Sequence, residues 1–411
     1  MLIYAYGFPH LGKNREFKIW IEKFWKNEIS EKQLVEYLDE LEKNRLSLYK
    51  NFVDIFPLSE FTYYDNIFDT ALIFSVYRFR SLKNYYSYAR GEKALKLKKF
   101  FNTNYHYLVP YLKKNTKFKL GWTKPFYYLD KFSSFSKTVF LFGPHTFFKL
   151  SDKEDSESLF FSLIEAYEEL FKLLKHKADT IHLEEPALVL DLTSKEKRMV
   201  ISGYKRLLKN DIPKINLITY YESVDFLKEI YKLNFSAIGL DFVSGEENLE
   251  QLRKIGFPQE KKLICGIVNG EGVRRANILE KVKLIEKIKK YTQLKEENII
   301  ISNICPLYHL PFSIENEVFP DSIKNRLSFA KERLYELKLI KDFKEGKKEE
   351  AQEWCNLKTI KRKSSFLFKA KSFSEKEFKK RRKIQQKILN LPLFLSLIHI
   401  SEPTRLGMIS Y

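Results

Sequence analysis

The 411-residue sequence has little cysteine and glycine and lacks any long apolar run. Its three cysteines, Cys265, Cys305 and Cys355, are widely spaced and odd in number, which argues against a disulfide scaffold and favours a reducing compartment. Its 14 glycines are about half of ordinary usage, which excludes collagen-like and glycine-rich linker architectures. No run reaches the roughly 18 apolar residues of a membrane helix, and no signal-peptide pattern is visible. We therefore expect a cytoplasmic protein with no membrane contact.

Hydrophobic residues make up 44% of the chain and aromatic residues 15%, which excludes wholesale disorder. Lys plus Arg is 73 and Asp plus Glu is 53, so the net charge is 73 − 53 = +20. Residues 358–387 hold 13 Lys or Arg and 2 Glu, so this segment carries +11 and the rest of the chain +9. We interpret the segment as a solvated, partly helical linker and expect no nucleic-acid partner. A basic nucleic-acid-binding protein is the alternative from another functional class.

Short apolar segments alternate with helical patterns along most of the chain. Repeated βα units predict an α/β fold with a parallel sheet, and eight such units predict a closed (β/α)8 barrel of the TIM type. The predicted barrel occupies residues 1–340, and a basic helical linker occupies 341–394. The eight predicted strands are Leu2 to Tyr6, 52–58, 137–143, 179–185, 214–220, 236–242, 262–268 and 297–304.

Helix signals accompany these strands. Asn14 is predicted to cap a helix whose apolar face begins at Phe17. Ser30 and Gln33 have the spacing of a capping box at the start of a second helix. Four further helical patterns cover 157–175, 197–209, 223–232 and 275–291.

Polar residues follow several predicted strands at the point where each strand ends. The carboxyl ends of barrel strands share one face, so we expect these residues to form a binding mouth. Glu184 and Glu185 are adjacent on a strand and point to opposite faces, so they are not expected to act as a paired acid and base. The residues at these ends are Glu184-Glu185-Pro186, Tyr220-Tyr221-Glu222, Asp241, Asn269-Gly270 and Asn303-Ile304-Cys305.

From residue 1 to about residue 394, the chain resembles the N-terminal half of cobalamin-independent methionine synthase. The combination of GFP near the start with NTNYHY and EEPALVL is specific, although each motif alone is weak. The stretches that carry the resemblance are GFPHLGKNREFK (7–18), FTYYDNIFDTAL (61–72), KKFFNTNYHYLVP (98–110), FLFGPHTFF (140–148), IHLEEPALVLDL (181–192), GIVNGEGVRRANI (266–278) and NICPLYHLPFSIENE (303–317).

The resemblance implies an enzyme built from two similar barrels. Such enzymes move a methyl group from 5-methyltetrahydropteroyltriglutamate to homocysteine, with zinc and the main substrate sites in the C-terminal barrel. The N-terminal barrel contributes to binding the folate polyglutamate tail, a string of carboxylates that basic residues and a helix N-terminus favour. The full-length protein is expected to be a monomer. The residues of this chain that match the tail-contacting positions are Arg15, Glu16, Phe17, Lys18 and Lys114.

Three positions depart from the family pattern. Glu184-Glu185-Pro186 stands where the family usually has Asp-Glu-Pro, and His10 stands where it has an arginine or a similar residue. Ser59-Glu60-Phe61 replaces the expected Gly-Asp-Phe.

Methyl transfer to a thiol requires a zinc site, and this sequence contains no zinc-binding motif. The chain contains no His-x-Cys, Cys-x-x-Cys or His-Glu-x-x-His. Cys305 matches a zinc cysteine of the second barrel by pattern, but one cysteine does not make a zinc site, so we interpret it as a packed thiol. His106 and His309 are interpreted as uncoordinated histidines. No catalytic residue and no metal are therefore expected in this chain.

The last residues break the family pattern after Leu391-Pro392-Leu393-Phe394. Residues 395–405, LSLIHISEPTR, resemble the translation of a sequencing adapter, and residues 409–411 fit its later part. Our hypothesis is that 395–411 are such a translation, that genuine protein ends near Phe394, and that the fragment lacks its catalytic barrel and is inactive alone. A stand-alone barrel methyltransferase of the same superfamily is the alternative.

Overall fold

The computed structural model describes residues 1–356, except for 92, 155–156 and 210, together with 374–376, 379–380 and 383–384. A boundary between two compact units falls after Leu357. Most of the basic segment 358–387, and all of residues 395–411, lie outside the described residues. The predicted domain limits at 340 and 394 stay predictions.

Seven parallel strands pair into one sheet within the described ranges, in the order β1-β11-β10-β9-β8-β7-β5. The predicted α/β class with a parallel sheet is confirmed. Two small ladders, β2 with β3 and β4 with β6, lie outside this sheet. The strands are β1 (Leu2–Tyr4), β2 (Leu97–Lys99), β3 (His106–Leu108), β4 (Tyr111–Leu112), β5 (Thr138–Phe142), β6 (Asp152–Lys153), β7 (Thr180–Glu184), β8 (Lys214–Ile218), β9 (Ala237–Asp241), β10 (Lys262–Val268) and β11 (Ile299–Asn303).

The main strands are continuous apolar runs because both faces of the sheet are covered. All five residues of β5, TVFLF, are buried, and so are all five of β9, AIGLD. This pattern is typical of parallel sheets with helices packed against them. It explains why seven of the eight strand predictions are confirmed.

The predicted strand 52–58 is wrong. Phe52 still belongs to a helix, and only two isolated parallel bridges follow, from Ile55 to Tyr4 and from Leu58 to Val139. Pro57 lies between the two bridges and has no N–H to donate to a neighbouring strand, which prevents a continuous ladder. The segment nevertheless hydrogen-bonds to both edge strands of the sheet. The amide of Ile55 donates to Ile3 at 3.0 Å, and the amide of Leu58 donates to Thr138 at 2.8 Å.

Helices connect most strands of the sheet. The predicted helices 157–175, 197–209 and 275–291 are confirmed, whereas 223–232 contains only a short helix. No helix within the described residues is both long enough and apolar enough to cross a membrane. The helices are α1 (Glu16–Trp25), α2 (Glu31–Phe52), α3 (Asn66–Ile73), α4 (Leu82–Ser87), α5 (Lys124–Phe132), α6 (Pro144–Leu150), α7 (Glu157–Leu174), α8 (Ser194–Leu207), α9 (Leu227–Tyr231), α10 (Glu246–Ile255), α11 (Ile278–Thr292), α12 (Asp321–Lys324), α13 (Ala330–Lys344) and α14 (Glu349–Cys355).

The first two helices begin in different ways. The capping box of α2 is confirmed, because the Ser30 hydroxyl accepts from the Gln33 amide and the Gln33 side chain accepts from the Ser30 amide. The predicted cap of α1 by Asn14 is wrong. Arg15 occupies the N-cap position with a left-handed φ of 62°. Asn14 instead donates from its amide and its side chain to the Glu16 carboxylate, at 2.8 and 3.1 Å.

Candidate functional site

The carboxyl ends of the parallel strands bring polar side chains together, as the sequence predicts. Glu184, the last residue of β7, accepts a hydrogen bond from the Tyr220 hydroxyl at 2.6 Å. Asn303, the last residue of β11, donates to the carbonyls of Tyr6 at 3.1 Å and Cys305 at 2.7 Å. Loops after β1, β8 and β11 therefore meet at one edge of the sheet.

The two adjacent glutamates at the end of β7, Glu184 and Glu185, contact different residues. Glu184 contacts Tyr220 and His182, whereas Glu185 accepts from the amide of Thr146 at the start of α6, at 2.6 Å. Burial raises the pKa of Glu185 to about 7, although the hydrogen bonds from Thr146 favour its charged form. The two carboxylates share no hydrogen-bond partner among the described residues. That they do not form an acid–base pair stays a prediction.

A buried arginine balances the acidic groups on one side of this edge. Arg45 of α2 donates from Nε to Glu42 at 2.6 Å and from Nη1 to Glu60 at 2.7 Å. Glu60 also accepts from the Gly7 amide at 2.5 Å and from the Tyr49 hydroxyl at 3.2 Å. The Arg45 side chain is only 3% exposed. Glu60, one of the departures from the family pattern, thus fixes the loop after β1.

His182 of β7 connects this arginine-bound region with Glu184. Its Nδ1 lies 2.7 Å from the Tyr4 hydroxyl, and its Nε2 lies 3.0 Å from the Glu184 carboxylate. Glu60, His182 and Glu184 each offer one potential metal-ligand atom, and these atoms lie within 4.8 Å of one another. Both nitrogens of His182 are already hydrogen-bonded, and Glu60 is ion-paired with Arg45. A cation would displace those partners, so the group does not fit a metal and acts as a polar core network.

A second group lies where the loops after β10 and β11 meet. Glu271, Cys305 and His309 also place one potential ligand atom each within 4.8 Å of one another. Cys305 is buried, Glu271 is exposed, and His309 ends the short 3₁₀ turn Leu307–His309. The Tyr221 hydroxyl lies 2.8 Å from Nε2 of His309. Thiolate, imidazole and carboxylate are the ligand types of zinc sites, so this donor set fits a zinc-type ion.

The second group, Glu271, Cys305 and His309, has acidic neighbours but no cationic partner among the described residues. Burial raises the pKa of the Cys305 thiol, and the carboxylates of Glu271 and Asp241 raise it further. Burial and Asp241 raise the pKa of Glu271, and burial lowers the pKa of His309 to about 4. In the part of the chain that the structure describes, neither Glu271 nor Asp241 forms an ion pair with Lys or Arg. The group is therefore an acidic corner without a basic side chain of its own.

A narrow aromatic pocket opens beside the arginine-bound network. Burial lowers the pKa of His10, on its wall, to about 4. The pocket is lined by Gly7, Phe8, His10, Glu60, Thr62, Asn66, Ile67, Phe100, Tyr105, Phe140, Phe142, Glu184 and Tyr308.

Four of the five residues assigned to tail binding lie together at the start of α1. Arg15 and Lys18 are exposed, and the Lys18 ammonium is 3.8 Å from Glu22 of the next turn. Phe17 is buried, with its ring centroid 5.7 Å from that of Phe61. The Glu16 carboxylate is engaged by Asn14. This turn presents two cations to solvent above an aromatic anchor.

Lys114, the fifth residue, lies far from the α1 turn in the sequence. It follows β4, and its amide donates to the Glu154 carboxylate at 3.0 Å. Its side chain is exposed. Within the described residues, no hydrogen bond or ion pair joins Lys114 to the α1 turn, so the structure does not bring these five residues into one direct contact.

Comparison with known proteins assigns the chain to a family. Residues 2–293 match the family model described as "Cobalamin-independent synthase, N-terminal domain". The chain belongs to this family. A 5-methyltetrahydropteroyltriglutamate–homocysteine methyltransferase of Thermotoga maritima is 37% identical over 417 residues, which cover 96% of this chain and 55% of the relative. A relative of the same name from Streptococcus thermophilus is 38% identical over 364 residues, which cover 83% of this chain and 48% of the relative.

The chain thus spans about half the length of the curated relatives of the cobalamin-independent synthase family that it matches. Among solved structures, it is similar to a B12-independent methionine synthase from Shewanella sp. W3-18-1 in complex with selenomethionine. That likeness has a TM-score of 0.47 and 14% identity, and it covers 62% of this chain and 76% of the other.

Two features of the site escape sequence reasoning. Ser59 has a φ of 70°, a left-handed conformation that glycine adopts without strain. Glu271 belongs to no metal motif, and the only signal for it is its position directly after the strand-end pair Asn269-Gly270.

Proposed function

We propose that this chain forms the N-terminal (β/α)8 barrel of a methyltransferase that moves the methyl group of 5-methyltetrahydropteroyltriglutamate to homocysteine, and that it holds the folate polyglutamate tail. The observation that carries the proposal is the pair of exposed cations, Arg15 and Lys18, in the first turn of α1. The closed barrel is supported by segment 54–58, which hydrogen-bonds to both edge strands, β1 and β5.

The α1 turn has the chemistry to bind a chain of carboxylates. Arg15 and Lys18 supply positive charge, and in the described structure the amides of Glu16 and Lys18 donate no hydrogen bond. Unpaired amides at a helix N-terminus and the helix dipole both favour anions. The ring of Phe17 packs 4.9 Å from that of His10 and holds the turn in place. An acidic tail would therefore meet donors that are already oriented.

Lys114 belongs to a second basic segment, residues 113–119. Four lysines of this segment are exposed, and none of them forms an ion pair within the described residues: Lys113, Lys114, Lys117 and Lys119. Cations without acidic partners attract polyanions without first having to break an existing ion pair. Lys114 is proposed to contact the same tail.

The proposal gives this chain a binding role, and the zinc ion and homocysteine site that the resemblance implies belong to a second barrel. The chain alone is accordingly expected to produce no methionine from homocysteine and the methylated folate. Methionine formation above the background of a protein-free control would contradict this part of the proposal.

Binding of the polyglutamate tail is tested by comparing the affinities of pteroyltriglutamate and pteroylmonoglutamate in calorimetric titrations at low salt. The triglutamate is expected to bind more tightly. Because each exposed ion pair is worth up to about 1 kcal/mol, Arg15→Ala combined with Lys18→Ala should weaken triglutamate binding by up to about thirtyfold. The same variant should leave monoglutamate binding unchanged.

Lys209→Ala is the matched control, because Lys209 is an exposed lysine after α8 without an ion pair in the described structure. It removes one charge but should not change the preference for the triglutamate. Equal affinity for the two folates in the unmodified chain, or equal losses in the double variant and the control, would refute tail binding at α1.

A further inference from the structure

We propose that Glu271, Cys305 and His309 bind a thiophilic dication of the Zn²⁺ type. The site is separate from the zinc site that the resemblance places in a second barrel, because all three donors belong to this chain. One ligand atom of each residue lies within 4.8 Å of the others. In a tetrahedral zinc site with bonds of about 2.0 to 2.3 Å, neighbouring ligand atoms are somewhat closer than this, so a small movement closes the site.

The fold places the three donors in the loops that follow two adjacent strands. β10 and β11 pair in parallel, with Cys265 opposite Ile301, so the loops that follow them lie side by side. Glu271 is in the loop after β10, and Cys305 follows β11. The arrangement therefore depends on the sheet and does not rest on one flexible loop.

Gly270 permits the close approach of these two loops. A Cβ atom at this position would lie 2.5 Å from the carbonyl oxygen of Cys305 and 2.9 Å from its sulfur. Real Cβ atoms do not approach a backbone atom that closely, so any larger residue would push the loop that carries Glu271 away from the thiol. The glycine thus keeps space beside the sulfur open.

The imidazole of His309 is held in place by a neighbour. Its Nε2 contacts the Tyr221 hydroxyl at 2.8 Å, whereas its Nδ1 has no hydrogen bond in the described part of the chain. Metal-binding histidines usually hydrogen-bond through the nitrogen that does not bind the metal, and this fixes the ring orientation and tautomer. Tyr221 provides that bond at Nε2, so in the proposed site Nδ1 is the nitrogen that binds the cation.

The acidic side chains around the group also favour the binding of a cation. Asp241 at the end of β9 is fully buried, and its Oδ2 atom has no hydrogen-bond partner. Its other oxygen accepts from the amides of Val243 and Ser244. Across the same edge of the sheet, Arg45 neutralises Glu60, but no arginine or lysine plays that part for Glu271 among the described residues. A bound dication would supply the missing positive charge.

Three protein donors leave the fourth tetrahedral position to water or to an external ligand, as in zinc sites that remain open. Glu271 is exposed, so solvent reaches at least one donor of the group. The site is therefore accessible to small ligands with a sulfur or oxygen donor.

The test is metal binding by the whole chain after chelator treatment, with Co²⁺ as a spectroscopic probe and Zn²⁺ as its competitor. One equivalent of Co²⁺ is expected to bind and to give the near-ultraviolet absorption of a cobalt–thiolate bond, which one equivalent of Zn²⁺ removes. Cys305→Ser should abolish this absorption. Glu271→Gln changes an exposed residue, so it should fold normally, and it should weaken Zn²⁺ binding at least tenfold.

Cys355→Ser is the control, because it removes a thiol on α14 that lies outside the group. It should keep both the absorption and the stoichiometry. The proposal fails if the unmodified chain binds no Co²⁺, if the thiolate absorption survives in Cys305→Ser, or if Glu271→Gln binds Zn²⁺ as tightly as the unmodified chain. These readouts do not involve folate, so they are independent of tail binding at α1.

Discussion

His145 should make the fold sensitive to acid. It lies in the first turn of α6 and is 1% exposed, and neither ring nitrogen has a hydrogen-bond partner among the described residues. Burial, followed by the charge of Lys149, lowers the pKa of His145 from 6.5 to about 4. Below pH 6.5 the unfolded chain therefore binds a proton that the folded chain does not bind. The stabilisation is complete above pH 6.5 and is lost as the pH falls towards 4.

The size of the effect follows from the two pKa values. One pKa unit corresponds to about 1.36 kcal/mol, so the linkage of His145 lowers the free energy of unfolding by about 2 kcal/mol between pH 8 and pH 5. His10 and His309, whose pKa values are also lowered to about 4, add to the same slope. His145→Leu replaces the buried imidazole with an apolar side chain that does not titrate. The variant should keep the part of the slope that His10 and His309 cause and lose the part due to His145.

Urea unfolding at pH 8 and pH 5 measures this difference. The stability lost between the two pH values should be about 2 kcal/mol smaller in His145→Leu than in the unmodified chain. His176→Gln is the control, because His176 is exposed after α7 and should leave the pH dependence unchanged. If His145→Leu and the unmodified chain lose the same stability on acidification, the buried imidazole does not cause the effect and the reasoning is refuted.

Three further changes test the frame of the site by thermal or urea unfolding. Arg45→Leu leaves Glu60 buried without its cation and should lower stability by about 3 to 5 kcal/mol; a loss below about 1 kcal/mol would contradict a buried ion pair. Gly7→Ala should destabilise by more than about 2 kcal/mol, because Gly7 has a φ of 70° and a Cβ there would lie 2.4 Å from Cβ of Pro306. Ser59→Gly should stabilise by about 1 kcal/mol by relieving a left-handed φ of 70°, and an unchanged midpoint would show that Ser59 is unstrained.

The strands were predictable because their signal is local. A buried parallel strand is a short apolar run, and Thr138–Phe142 or Ile299–Asn303 is recognisable without its neighbours. Segment 52–58 has the same apolar character but contains Pro57, and its pairing depends on where two distant strands end. The start of α1 was mispredicted for a related reason. Asn14 is a good capping residue by type, but the Glu16 carboxylate competes for its side chain.

The metal-type group was not predictable from spacing. Cys305 and His309 are four residues apart, which is no zinc motif, and Glu271 is 34 residues before Cys305. Their proximity arises only when β10 and β11 pair and Gly270 lets the loops touch. By contrast, the residues proposed to bind the tail at α1 came from the resemblance, since exposed cations in a first helical turn are common on any protein surface.

Two acid–histidine groups at one edge of the same sheet differ chiefly in how their charge is balanced. Glu60 and His182 lie next to α2, which brings Arg45 into the core and supplies a fixed cation. Next to Glu271, the buried Arg333 of α13 donates to the carbonyls of Gly272 and Arg274 and pairs with Glu336, so it forms no ion pair with Glu271. Asp241 adds a further buried carboxylate there. Helix α2 therefore makes the first group a permanent structural element, whereas the second keeps acidic and thiol donors that no side chain neutralises. The two groups therefore differ in what their neighbouring arginine binds: Arg45 pairs with a carboxylate of the core network, whereas Arg333 pairs with Glu336 outside the proposed cation site.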